Sequence, residues 1–153
     1  SVSVVSQSSV LPRGVWCDGL FACLRYLPRG LRSVGRDEGA ALWRPRAVAE
    51  APYRREPSLE FADLLYAQQN WYGVIFMVNR ALTITERPRT YICDPFAWGS
   101  YPYDLLSLAH DHIGQAQQAL SCAEKALSLA PQDRRLQKNC ALLRVKLQEE
   151  SRI

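Results

Sequence analysis

The chain has 153 residues, of which 48% are apolar, so one modest core can be built, and four Trp, seven Tyr and four Phe are available to fill it. No run of about 18 apolar residues occurs, which leaves no membrane-spanning segment; the nearest stretch, Val15 to Leu27, is shorter and is broken by Asp18 and Arg25. The net charge of +4 sits in the first third, where nine Arg face five acids up to Pro57, while ten basic and ten acidic residues balance from Ser58 onward.

Arg13, Arg25, Arg29, Arg32, Arg36, Arg44 and Arg46 are scattered among Gly and Pro without a helical period. Nucleic-acid surfaces cluster their basic residues or interleave them with aromatics, so a nucleic-acid partner is disfavoured. The opening Ser1 to Val10 has no basic start and no apolar core with a cleavage site after it, which argues against a secretory signal. A first residue other than Met is compatible with a processed start or a fragment. The five Cys (Cys17, Cys23, Cys93, Cys122, Cys140) are odd in number, irregularly spaced and form no CxxC pair, the pattern of reduced thiols in a cytoplasmic protein.

Residues 1–57 read as an irregular segment containing Arg, Pro and Gly. Leu11-Pro12-Arg13-Gly14 recurs as Leu27-Pro28-Arg29-Gly30, and both copies interrupt regular structure. Between them the apolar side formed by Leu20, Phe21, Cys23 and Leu24 predicts a short helix from Asp18 to Tyr26. Ala40 to Tyr53 reads as a pair of extended segments, with Pro45 and Pro52 at edges or loops.

Residues 58–150 change to helical periods and predict an all-α domain. Leu59, Ala62, Leu65 and Tyr66 form one apolar face; beyond a break at Gln69-Asn70, Val74, Val78, Ala81 and Leu82 form a second, closed by Arg87-Pro88. The next hairpin is predicted from Tyr103 to His112, a turn at Gly114, and Ala116 to Ala130 stopped by Pro131. A last amphipathic helix runs from Asp133, a candidate N-cap, to Glu150, with Leu136, Cys140, Leu143 and Leu147 on one side.

No catalytic constellation is visible. His110-Asp111-His112 does not make a helical metal pair, because residues two apart point to different faces while ligands pair at i and i+3 or i+4. No Gly-x-Ser-x-Gly elbow or phosphate loop occurs, and Cys93 has no His at a meaningful spacing. No catalytic residue, metal site or cofactor is therefore expected.

The second hairpin resembles a tetratricopeptide repeat. Ala119, Ala126, Leu127, Leu129 and Pro131 stand where that repeat of roughly 34 residues places its small residue, the ending of its second helix and its terminal Pro. Tyr103 stands for the usual Trp and Ser107 for the small residue between the helices; His110 and Ala123 depart from the aromatics preferred there. The first hairpin fits the same frame through Phe61, Ala62, Leu65, Trp71, Val74 and Ala81, and Arg80-Ala81-Leu82-Thr83-Ile84 mirrors Lys125-Ala126-Leu127-Ser128-Leu129. The resemblance implies tetratricopeptide-like helical hairpin repeats with a C-terminal capping helix. About eleven extra residues separate the two copies.

The stretch between the copies, Thr90 to Ser107, is rich in aromatics and Pro and reads as a packed elbow or a recognition surface. Arg80-Ala81-Leu82, Tyr91-Ile92, Ala97-Trp98-Gly99, Pro102-Tyr103-Asp104 and Leu106-Ser107 resemble the helical region that follows the catalytic domain in some family 2 glycosyltransferases. Those enzymes use an Asp-x-Asp metal site in an α/β domain; no such motif stands here, and 57 preceding residues are too few for that domain. The expectation is thus a non-catalytic module for protein interaction or support. Its partner would be another protein or a neighbouring catalytic domain, with Trp98, Tyr101, Tyr103 and His110 as contacts. The alternative is a fragment of a glycosyltransferase whose catalytic domain is missing from this chain.

Two stacked hairpins at about 25 cal/mol per Å² of buried apolar area barely offset chain entropy. The N-terminal third, or a domain upstream, is therefore predicted to pack on Phe61, Leu65 and Tyr66. A chain beginning at Glu56 should melt lower and less cooperatively than the full chain in a calorimetric scan; equal melting contradicts the expectation.

Overall fold

The computed structural model describes residues 37–89 and 93–152, with side chains from Arg44 onward. Among these residues the chain is all-helical and contains no strand. Helices α1 (Asp37–Glu50), α2 (Arg55–Ala67) and α3 (Trp71–Leu82) precede a 3-10 turn, Pro95–Trp98, and α4 (Tyr101–His112), α5 (Ala116–Leu129) and α6 (Arg134–Glu150) follow it. The chain divides into two compact units, Ser1–Ala51 and Pro52–Ile153.

In the first unit, α1 replaces the extended pair expected over Ala40 to Tyr53, and Pro45 lies inside it. Pro at that place gives up one backbone bond and crowds the carbonyl four residues earlier. The surrounding Ala, Leu, Arg and Glu residues are good helix formers, and their summed preference outweighs the one Pro. Part of the expected irregular segment is thus helical. The predicted helix from Asp18 to Tyr26 lies outside the described residues.

The second unit holds two helical hairpins and a final helix. α2 starts at Arg55, three residues before Ser58, with Arg54 extended at its N-cap. Pro57 is tolerated because first-turn amides have no partner within the helix, and Glu56 suits the positive end of the helix dipole. After Ala67 the chain turns through Gln69, in the left-handed region at φ 57°. The Asn70 side chain then accepts from the Gly73 amide at 2.9 Å and starts α3. α3 ends at Leu82, well before the expected stop at Arg87-Pro88. The Thr83 hydroxyl donates to the Arg80 carbonyl there, so a local side-chain bond competes with continuation of the helix. Leu59 and Ala62 of α2, with Val74, Met77, Val78 and Ala81 of α3, are buried.

The second hairpin is closed at Gly114, whose φ of 78° is the left-handed conformation that glycine adopts without a Cβ penalty. α5 buries a stripe of four small residues, Ala116, Ala119, Ala123 and Ala126, which lets neighbouring helices approach closely. Ala123, a departure from the aromatic of the repeat pattern, belongs to this stripe. α6 packs across it: Ala119 and Ala123 form a core with Cys140 and Leu143, flanked by Leu120 and Leu127. The Asp133 carboxylate accepts from the amides of Arg135 at 2.8 Å and Leu136 at 3.3 Å, as expected for an N-cap.

Asp133→Ala should cost about 1 kcal/mol by leaving those amides without a protein acceptor. Urea denaturation measures it, with Asp133→Asn close to the parent; an unchanged midpoint for Asp133→Ala contradicts the cap's role.

Candidate functional site

Two surfaces in the second unit carry polar and aromatic side chains on defined geometry. The first is the joint where the segment between the hairpins meets α2. Arg55, at the first position of α2, donates from Nε to the Ile84 carbonyl at 2.7 Å and from Nη1 to the Ala97 carbonyl at 3.3 Å. The same guanidinium lies 3.9 Å from the centre of the Trp98 ring. Its neighbour Glu56, fully buried, accepts the Asp94 amide at 3.1 Å through Oε1. Two consecutive residues of α2 therefore hold both ends of a segment whose middle is distant in sequence. Burial lowers the Arg55 pKa, partly countered by Tyr103 and Glu56 nearby.

Tyr101, the first residue of α4, donates its hydroxyl to Asp63 of α2 and meets Phe96 edge-on at 5.5 Å. Burial, then the hydrogen bond to Asp63, pushes its phenol well above the ordinary range. Lys125 approaches the Tyr103 ring at 5.9 Å. The His110 Nδ1 lies 2.7 Å from the Gln115 Oε1. Of the four expected contacts, Trp98 and Tyr101 are thus knitted into this joint. Tyr103 and His110 lie on α4 outside the 3-10 turn, with Tyr103 close enough to Arg55 to act on its charge. The elbow is shorter than expected, because α4 begins at Tyr101 with Pro102 in its first turn.

A stack at the other end of α4 was not foreseen. His112 lies on Trp71 at 3.9 Å with the rings 2° from parallel, and Tyr66 meets Trp71 edge-on at 5.1 Å. Tyr66, expected to face upstream, touches the second hairpin through His112 at 6.4 Å. Each residue was visible in the sequence. Their meeting depends on how α2, α3 and α4 cross, which no local period encodes.

The second surface is a groove between α4 and α6. Arg135 binds the nearly buried Asp104 through both guanidinium nitrogens, at 3.2 and 2.8 Å. Farther along, Lys146 pairs with Asp111 at 2.6 Å. The carboxylates raise the pKa of both cations. Beside the Asp111–Lys146 pair, which forms part of its wall, lies a cavity of about 120 Å³ lined further by Ser107, Leu108, Asn139, Leu142 and Leu143. Leu142 remains 59% exposed at its rim. Tyr72 and Phe76 are also exposed, one turn apart on α3.

No family model matches the chain, and no curated protein matches it. Among the described residues no three His, Cys, Asp or Glu gather as metal ligands, and no helix is long and apolar enough to cross a membrane. Burial pushes the Cys122 and Cys140 thiols up, away from the thiolate a nucleophile needs.

The raised Tyr101 pKa fixes a sign. Its neutral phenol contributes stability that is fully present below the unfolded value near 10.0 and is lost as pH rises beyond it toward the higher folded value. In an absorbance titration at the phenolate band, Tyr101→Phe should remove one phenol that ionises only with unfolding. If that phenol instead titrates in the native protein like an exposed tyrosine, the buried hydrogen bond to Asp63 is wrong.

Proposed function

We propose that the second unit is a non-catalytic helical-repeat module of tetratricopeptide type that holds a segment of another protein, or of a neighbouring domain, against α4 and α6. The observation that carries this reading is the groove itself: an open cavity between two helices that ion pairs bridge, with Leu108 and the exposed Leu142 on its wall. The order of helices supports the same reading, since α2 with α3 and α4 with α5 are successive hairpins and α6 covers the last one. Free Cys93, Cys122 and Cys140 fit the reduced thiols of the cytoplasm.

A second reading places the module beside a catalytic domain, as in the family 2 glycosyltransferases it resembles. The elements behind that resemblance, Trp98-Gly99 and Pro102-Tyr103-Asp104, hold the joint through Trp98 and the α6 contact through Asp104. They would then be kept for architecture.

Panning the full chain against a displayed random-peptide library tests the first reading. Binders should lose at least about tenfold in affinity on Leu142→Ser, as expected when an apolar anchor loses its contact. Binders indifferent to Leu142→Ser and Asn139→Ala would place the partner surface elsewhere, and the absence of any binder would sink peptide recognition.

A further inference from the structure

The last helix carries its charges against its own dipole. Arg134, Arg135 and Lys138 stand toward the positive, N-terminal end of α6, and Glu149 and Glu150 stand at its negative, C-terminal end. Part of this is offset within the chain. Asp133 caps the first turn, Asp104 neutralises Arg135, and Glu150 acts on Lys146 beside Asp111. The exposed Arg134, Lys138 and Glu149 form no ion pair among the described residues.

The same helix has an uncovered apolar stripe. Arg135 and Lys146 reach α4 on one flank, and Arg144 reaches Glu124 of α5 on the other. Away from the buried Leu136, Cys140 and Leu143, the exposed Lys138, Leu142, Val145 and Glu149 follow one another at steps of four, three and four residues. Those are the steps at which one helix packs along another. Leu142 is 59% exposed and Val145 51%. Turned end for end about the midpoint between residues 143 and 144, the stripe exchanges Leu142 with Val145 and Lys138 with Glu149.

We propose that this face of α6 pairs antiparallel with the same face of a second copy of the chain. Two-fold pairing sets Leu142 against the partner's Val145 and Lys138 against the partner's Glu149, each contact made twice, as an isologous interface requires. A parallel pair instead sets Lys138 against Lys138 and Glu149 against Glu149, and like charges repel. The antiparallel order also lays the positive end of each helix beside the other's carboxylates, which offsets the misplaced charges. Arg152, just past the helix end, comes toward the partner's Arg135, whose charge Asp104 already takes. A stripe that is its own complement fits a second copy without any foreign partner. From Lys138 to Glu149 it runs about 16 Å at 1.5 Å per residue, short of the roughly 1,200 Å² of a stable complex, so the dimer is weak and reversible.

Leu142 also stands at the rim of the groove toward α4, whereas Lys138, Val145 and Glu149 do not line that cavity. The test therefore uses these three, in sedimentation equilibrium of the full chain from micromolar to millimolar concentration. A monomer–dimer equilibrium with a dissociation constant on the order of 100 µM is expected, weaker at high salt. Val145→Asp should abolish the dimer without moving the melting temperature. Lys138→Glu and Glu149→Lys should each weaken it at least about fivefold, since each turns two attractive contacts into repulsive ones. The double variant Lys138→Glu with Glu149→Lys restores both contacts and should return the dimer to within about twofold of the parent. A monomer at every concentration, a dimer indifferent to Val145→Asp or to the single charge changes, or a double variant as weak as the singles overturns the proposal.

Discussion

One guanidinium sets the geometry of the second unit. Arg55 binds the carbonyls of Ile84 and Ala97, which stand at the two ends of the segment between the hairpins, and covers Trp98 with its face. Charged hydrogen bonds of this kind contribute about 1.5–3 kcal/mol, and a guanidinium over an indole adds about 0.5–2 kcal/mol according to its exposure. A long connection costs little more entropy to close than a short one, since closure scales with the logarithm of length. What it lacks is a fixed path. Arg55 supplies that path, and with Glu56 holding Asp94 and Asp63 receiving Tyr101, α4 is delivered to α2 at a set position.

Everything downstream inherits that placement. With α4 seated, His112 reaches Trp71 and Tyr66 at its far end, so both ends of α4 are tied to the first hairpin. The alanine stripe of α5 then brings α6 close, and Asp104 and Asp111 of α4 receive Arg135 and Lys146. The groove of the proposed function lies between the same two helices, with the Asp111–Lys146 pair in its wall. Its Arg135 end is anchored by the nearly buried Asp104, whereas the Lys146 pair is about half exposed on both sides and is weaker in water.

The helices of residues 58–150 were legible because their faces repeat locally. Leu136, Cys140 and Leu143 follow the helical period after an Asp cap, and α6 has the predicted bounds; Gly114 and the Gln69-Asn70 break punctuate the hairpins as turn residues do. α1 was misread because Pro45 was weighed above the helix formers around it. The ends of α3 and the start of α4 were displaced because Thr83 and Pro102 act through individual backbone groups, with no periodic signal. The joint was half legible: Trp98 and Tyr101 stood out as aromatics in a loop. Arg55 entered the sequence reading only as one of the nine Arg counted up to Pro57. Its importance comes from partners 29 and 42 residues away, which no window of sequence brings together.

The most direct measurement is a double-mutant cycle on the full chain, with Arg55→Ala, Trp98→Leu and the pair, read as unfolding free energies in urea. Contact between the two side chains predicts a coupling of at least about 1 kcal/mol, the pair losing less than the two single changes together. Strict additivity would contradict the account, because Arg55 and Trp98 would then act independently and the path of the segment would be fixed by something else.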